Sequence, residues 1–385
     1  MRVALLCMSI EPGHDGVGDY VHRFARVLSA RGHACQILAL ADRFADHPSV
    51  TLDTHGGYEI VRIPAEQWRQ ADIGLAIERL QAFTPDWVSL QMVCYGFEKH
   101  GLLWRSARQF ASLRGASKRH MMFHELWIGA GATSPPRDRI LGWLQRKLLL
   151  RATRMWSPRI VHTSNTFYRE MLRGADITAE ELAVPGNIPV RALDSAGARQ
   201  MILQRLGSLP RQPLEPLLAG LFGSLHPEWS DGAWLDRVAA LCARLGRRLV
   251  IVQLGRLGPA GTRALASLRR RASDRADFLE FGERDAAEIS AILQGLDFGV
   301  ATTPWPLIGK SGTAAAMLEH GLPVLVPSDG ERLRDSPMPP ATDHPQLFRL
   351  HEFCRMLERN ALARFDLEPR PDIFATFIGA LERAS

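Results

Sequence analysis

Short apolar runs recur along the chain, bounded by turn-forming residues and separated by longer stretches whose apolar positions return with a helical period. In the first half these runs predict strands at 3–8, 34–39, 87–91, 121–123 and 160–163. A second series starts afresh at 217–222 and continues at 249–254, 277–281, 298–302 and 323–326. Strands alternating with helices predict an α/β protein with two parallel sheets in series, each built from βαβ units. Between the series, residues 191–216 carry Pro210, Pro213 and Pro216, which close a short helical stretch and interrupt continuous structure. The expected organisation is one domain over 1–195 and another over 196–365 with a cleft between them, then a terminal segment, 366–385, whose residues 374–381 are apolar enough to dock as a helix. In open α/β sheets ligands collect beyond the carboxyl ends of the strands, so the loops there are the places to look for chemistry.

The 385 residues suit two domains of the usual size, roughly 100–200 residues each. At 46% hydrophobic and 23% charged, the chain is of ordinary globular composition. Cys7, Cys35, Cys94, Cys242 and Cys354 are odd in number and scattered, with no CxxC pair, which predicts reduced thiols in a cytoplasmic protein. The opening MRVALLCMSI is too short for a secretory h-region, and no apolar run approaches the roughly 20 residues that span a bilayer. A net charge of +6 points to an anionic partner. The excess is spread arginine without a basic-aromatic RNA motif or a DNA-reading helix, so nucleic acid is not expected; a nucleotide-sugar, an acidic glycan or an anionic lipid surface accounts for the charge.

Two glycine-containing loops stand out. After the first strand, His14-Asp15-Gly16-Val17-Gly18-Asp19-Tyr20 leads into an amphipathic run, and Gly16, Val17 and Gly18 would let the backbone approach phosphate or sugar oxygens closely. A tight βα turn uses glycine as well, and the spacing is not the GxGxxG fingerprint. In the second half, Ile308-Gly309-Lys310-Ser311-Gly312-Thr313 opens an apolar helix. The ammonium of Lys310, the hydroxyls of Ser311 and Thr313, and the first-turn N–H groups from Gly312 onward describe a pyrophosphate cradle. Lysine is scarce here, the others being Lys99, Lys118 and Lys147. The plainer account is an N-cap hydroxyl on a buried helix.

These segments lie in an ordered series that resembles family-4 glycosyltransferases over about residues 2–328. GVGDYVHRFARVLSARGHACQILAL resembles the family's opening, HTSNTFYREMLRGADITAEELAVPGNIPV its S-x-x-x-x-x-x-L…V-I-P-N-G segment, FLEFGERDAAEISAILQGLDFGVATTP its strand-helix-strand stretch, and LEHGLPVLVP its A-x-G-x-P-V-I turn. The resemblance implies the GT-B architecture, two Rossmann-like domains facing across a cleft with the last helix returning to the first domain. It implies transfer of a sugar from a nucleotide-sugar donor to a glycan, lipid-linked or small-molecule acceptor. No cofactor beyond that substrate is implied, and with no DxD triplet metal independence is expected.

His124-Glu125 stands where the family has His-Asp lining the donor-sugar pocket; the histidine could donate to a sugar hydroxyl and the carboxylate accept, or His124 could cap the next helix. Asn187, in VPGN, falls at the interdomain edge and is also a turn-forming residue. Retaining transfer would need no enzymic base at the anomeric carbon, whereas inverting transfer would draw one from Asp15, Asp19 or Glu125.

The chain also departs from the resemblance. Two glutamates eight positions apart are replaced by Ile308 and Ala316, aligned on Gly321-Leu322-Pro323, and a G-R-x-x-x-x-K-G pattern is replaced by Gly223-Ser224-Leu225-His226-Pro227-Glu228-Trp229. Ser224 stands at the arginine's place, Lys310 and Arg256 would have to supply the positive charge, and Glu319 is a conceivable stand-in for a lost glutamate although it lies about 60° short of a full turn from Ala316. A sugar-nucleotide epimerase and a catalytically silent binder of the same fold are the rival readings. Residues 137–159 combine seven basic residues with Ile140, Trp143, Leu144, Leu148 and Trp156; such a segment could rest on an anionic bilayer or pack on the first domain.

Overall fold

The computed structural model describes residues 1–191, 195–207, 214–226, 229, 232–272, 274–330, 332–334, 344–365 and 372–384. Pro210 and Pro213, on which the expected join rests, lie outside the described residues. The chain forms two compact units, one of Met1–Val184, Glu331–Pro339 and Pro371–Ser385, the other of Pro185–Gly330 and Pro340–Arg370.

Unit 1 holds β1 (Arg2–Cys7), β2 (Ala34–Asp42), β3 (Ser49–Leu52), β4 (Glu59–Pro64), β5 (Trp87–Met92), β6 (Lys118–Phe123), β7 (Ile160–Thr163) and β8 (Glu180–Glu181). Their order in the sheet is β3-β4-β2-β1-β5-β6-β7-β8, and every pair is parallel except β3 with β4. The strands found beyond those predicted are β3, β4 and β8 here: β3 is an exposed edge, β4 interrupts its apolar positions with Arg62, and β8 has two residues. β6 also begins earlier than its apolar run, because Lys118, Arg119 and His120 belong to the ladder with β5.

The central strands are aliphatic because both faces are covered. Val3, Leu5 and Cys7 pack with Tyr20, Val21, Phe24 and Leu28, the apolar stripe of helix Gly16–Ala30. The same face receives helix Ile373–Arg383: Phe24 meets Phe374 and Phe377 at 4.8 and 5.3 Å between ring centroids, and Asp372, the N-cap of that helix, is paired with Arg31.

Unit 2 holds β9 (Glu215–Phe222), β10 (Arg247–Leu254), β11 (Ala276–Gly282), β12 (Phe298–Val300), β13 (Val324–Val326) and β14 (Leu347–Arg349), in the order β11-β10-β9-β12-β13-β14, all parallel. In each sheet the chain builds outward one way from the first strand, then returns to build the other way. The direction changes between β1 and β5 in unit 1 and between β9 and β12 in unit 2. No helix among the described residues is long and apolar enough to cross a membrane.

Candidate functional site

In unit 2, the loops after β9 and β12 meet where the strand order reverses, the place where an open α/β sheet leaves a crevice. Thr302 holds them together: its Oγ1 accepts from the His226 N–H at 3.1 Å and lies 3.4 Å from the Ser224 carbonyl oxygen, to which it donates. Thr302 in turn lies just before the segment that carries Lys310. That segment is a 3-10 turn, Trp305–Lys310, followed at once by helix Gly312–Glu319. Ser311 is the helix N-cap, its Oγ accepting from the Ala314 N–H at 3.2 Å and lying 3.2 Å from Thr313 Oγ1. Gly223, at φ +79°, closes on this helix start, since a Cβ there would lie 2.6 Å from Thr313 Cγ2.

Ser224, Lys310, Ser311, Gly312 and Thr313 are therefore neighbours in space. A helix leaves its first-turn amides without intrahelical acceptors, and those of Gly312 and Thr313 sit beside two hydroxyls and follow closely on Lys310 in the chain, a set that suits an anion. The N-cap role of Ser311 is the plain structural account, and it coexists with the cradle, because the capped amide belongs to Ala314.

The segment around Asn187 runs along the same helix. A Cβ on Gly186 would lie 2.6 Å from Ala316 Cα, so only glycine permits the approach, and Asn187 Cβ is 3.9 Å from where a Cβ on Gly312 would be. Glu319 accepts from the Gly186 N–H at 2.7 Å. Its carboxylate thus has a structural partner at the far end of the helix from Ser311. Ile308 and Ala316, which stand where carboxylates were expected, are buried in the core. Arg256 follows the β10 turn at Gly255 and is paired with Glu283 at 2.5 Å on the surface.

In unit 1, the corresponding reversal brings the loop after β1 against the segment that follows β5: a Cβ on Gly96 would strike Met8 Sδ at 1.6 Å. Asp15 caps helix Gly16–Ala30, with Oδ1 accepting from the Val17 N–H at 3.0 Å and Oδ2 from the Ser9 hydroxyl at 2.5 Å. Both oxygens hold the turn, which removes the motive for Asp15 as a base. Gly18 is required by packing, since a Cβ would lie 2.9 Å from Ile10 Cα and Ser9 O; a Cβ on Gly16 would meet nothing within 4 Å. Asp19 accepts from the Gly13 N–H at 3.1 Å. Burial raises its carboxyl above the ordinary aspartate range, opposed by that N–H.

His124 follows β6 directly. It does not cap a helix, because the next one, Pro136–Trp156, starts well beyond it with Pro135 as N-cap. Its ring is buried, meets Tyr20 edge-on at 4.8 Å and lies 2.9 Å through Nε2 from Gln91 Oε1. Through Tyr20 the structure joins His124 to the 16–19 turn. Glu125 is half-buried near Cys94, whose thiol is pushed up to about 12 by burial and by that carboxylate.

Sequence reading missed the polar row that stands behind His124. Ser89, Gln91, His120 and His162 form a buried row of polar side chains in β5, β6 and β7. The signal was present as Ser89 and Gln91 at alternate positions of the otherwise apolar strand WVSLQM, with one buried histidine each in KRHMMF and IVHT. On a parallel sheet such alternation marks one face with a special use.

No protein-family profile matches the chain, and no characterised protein matches it by sequence. Solved structures do match. The catalytic domain of starch synthase IV from Arabidopsis thaliana, bound to ADP and acarbose, is 14% identical over 100% of this chain and 99% of its own, with a TM-score of 0.58. HepE from Anabaena, in complex with UDP and glucose, is 14% identical over 99% of both chains at 0.57. The lipopolysaccharide outer core galactosyltransferase WaaB in its apo form is 11% identical over 100% of both chains at 0.55. The two Rossmann-like units are those of the GT-B fold.

Proposed function

We propose that the chain transfers a sugar from a nucleoside-diphosphate donor to a glycan, lipid-linked or small-molecule acceptor. The observation that carries this reading is the convergence, at the strand reversal of unit 2, of Ser224, Lys310 and the start of helix Gly312–Glu319. As the glycosidic bond to the diphosphate breaks, negative charge develops on the leaving group, and fixed donors aimed at that charge lower the barrier. Lys310 supplies a full charge, and the amides of Gly312 and Thr313 with the two hydroxyls supply dipoles. Arg256 would have to leave Glu283 to contribute, which an exposed pair does at little cost. In unit 1, His124 and Glu125 are the polar groups for the sugar, and Asp19 is a proton acceptor suited to an inverting reaction because burial raises its carboxyl. That two GT-B neighbours were solved with ADP or UDP supports the donor class.

A second reading, a silent protein that binds a nucleotide or a protein partner, starts from one departure. Ile308 and Ala316 bury apolar side chains at the places where the resembling family carries carboxylates. Two measurements separate the readings. Calorimetric titration with UDP, GDP and ADP should give saturable binding of at least one, and no binding of any would sink the donor assignment. Slow hydrolysis of the matching sugar nucleotide without acceptor would then establish turnover, whereas binding without hydrolysis, and without transfer across an acceptor panel, would establish the silent protein.

A further inference from the structure

Ser89, Gln91, His120, His124, His162 and Glu180 line up on one face of adjacent parallel strands and the loop after β6. Ser89 sits opposite His120 in the ladder, and His162 opposite Glu180. His124 Nε2 is 2.9 Å from Gln91 Oε1, and Gln91 Nε2 donates to Ser89 Oγ at 2.7 Å. Ser89 Oγ is 2.7 Å from His120 Nδ1, and His120 Nε2 is 2.9 Å from His162 Nδ1. The last step, from His162 Nε2 to Glu180 Oε2, is 4.0 Å and leaves the core, since the Glu180 side chain is 75% exposed. All the members between are buried. A buried polar row persists only where each member is satisfied by its neighbours.

A neutral imidazole has one donor and one acceptor nitrogen, so the proton on one ring dictates the next. The Glu180 carboxylate, 4.0 Å from His162 Nε2, favours the proton on that nitrogen electrostatically, which leaves Nδ1 to accept from His120 Nε2–H. His120 Nδ1 then accepts from the Ser89 hydroxyl, Ser89 Oγ accepts from the Gln91 amide, and the Gln91 carbonyl accepts from His124 Nε2–H. Reversing the histidine links would aim His120 Nδ1–H as well as Gln91 Nε2–H at the Ser89 oxygen, so the Ser89 hydroxyl keeps an acceptor within the row only if Gln91 turns over too, and a lone pair of His162 would then face a carboxylate. Both interior rings are neutral near pH 7: burial lowers His162 to about 4, and burial, then the His162 and His124 rings, holds His120 well below the ordinary histidine range. The other groups facing the row are Arg383 near His162, Phe377 edge-on to His120 and Tyr20 edge-on to His124.

We propose that Glu180, acting through His162, His120, Ser89 and Gln91, is a remote positioning group that fixes His124 as its Nε2–H tautomer and makes Nδ1 the acceptor of that ring. The functional meaning rests on the reading of His124 as a sugar-contacting group: a sugar hydroxyl would donate to His124, not accept from it. The ordering itself requires no substrate.

The test is nitrogen-15 NMR of the histidine side chains in the full-length protein near neutral pH. Wild type should show the Nε2–H form at His124, His120 and His162. Glu180→Lys places an ammonium where the carboxylate was, and should raise the Nδ1–H fraction at all three rings together, changing the ratio by roughly fivefold, the upper range for one exposed charge. Ser89→Ala cuts the row, so the same charge reversal in that background should move His162 and His120 and leave His124 unchanged. An Nδ1–H ring at His124 in wild type, no response of His124 to Glu180→Lys, or an undiminished response in the Ser89→Ala background would each overturn the proposal. Failure of the transfer reading shows separately, as absent donor binding and hydrolysis in a protein whose His124 still follows Glu180.

Discussion

Lys310 ends a 3-10 turn directly before the N-cap Ser311, which puts a cationic residue at the positive end of a helix. A charge-assisted contact to a phosphate is worth about 1.5–3 kcal/mol, so Lys310→Ala should weaken nucleoside-diphosphate binding by roughly ten- to a hundredfold. The residue is half-buried and outside the core clusters, so the unfolding midpoint without ligand should move little. Calorimetry on both proteins decides it: equal affinity for the best nucleotide removes Lys310 from the site. A second expectation concerns pH. In the unfolded chain His162 titrates near 6.5, but in the folded protein it titrates at about 4, chiefly because it is buried. As pH falls below about 6.5 the unfolded state takes up the proton first. The contribution of neutral His162 to stability is complete above that pH, declines between about 6.5 and 4, and is exhausted below; the whole drop is of order 3 kcal/mol. His120 adds in the same direction. Urea unfolding from pH 7 to 4 should show the decline, and His162→Phe should flatten it.

At the scale of elements, helix Pro136–Trp156 divides the residues that sequence alone left open between an anionic bilayer and packing on the first domain. Leu148 and Trp156 enter the core of unit 1, whereas Ile140 and Trp143 are 71% and 61% exposed beside Arg137, Arg139 and Lys147. The division comes from helical geometry: one stripe of the helix covers the sheet, and its first turns carry the apolar residues left outside. Exposed tryptophan among basic side chains gains from both interfacial burial and attraction to anionic lipid. The protein should therefore sediment with anionic vesicles at low salt, less so at high salt, and Trp143→Ser should reduce the bound fraction severalfold. Equal sedimentation with neutral and anionic vesicles would leave this helix without a membrane role.

For the molecule as a whole, the chain returns to unit 1 for its last helix, Ile373–Arg383, after completing unit 2. Phe377 and Leu381 are almost fully buried, and Phe24 is covered by Phe374 and Phe377. Removing one such large buried side chain costs about 3–5 kcal/mol, so losing the helix approaches the entire stability of an ordinary domain. Truncation before Asp372 should accordingly abolish cooperative unfolding of unit 1 while unit 2 keeps its own transition in calorimetry. A truncated chain with both transitions intact would show that the helix is only an ornament on unit 1.

The apolar runs determined the α/β class and ten of the strands, because a strand buried on both faces has to be aliphatic and a sequence displays that without its context. They did not reveal β3, β8 or β14, which are short or exposed, or β4, whose apolar positions Arg62 interrupts; the pairing of all four depends on a neighbour already in place. The Lys310 loop was legible for a similar reason: a turn, a cap and a helix start are local, and the residues that make them are adjacent. Only the tertiary structure decided which distant side chains meet. Asp15 became a cap with both oxygens engaged, Glu319 became the partner of the Gly186 amide, and four polar residues on three strands joined Glu180 to His124. A hydrogen bond depends on distance and direction between groups, and the register of parallel strands, set by packing across the whole sheet, brings residues far apart in sequence to within 3 Å.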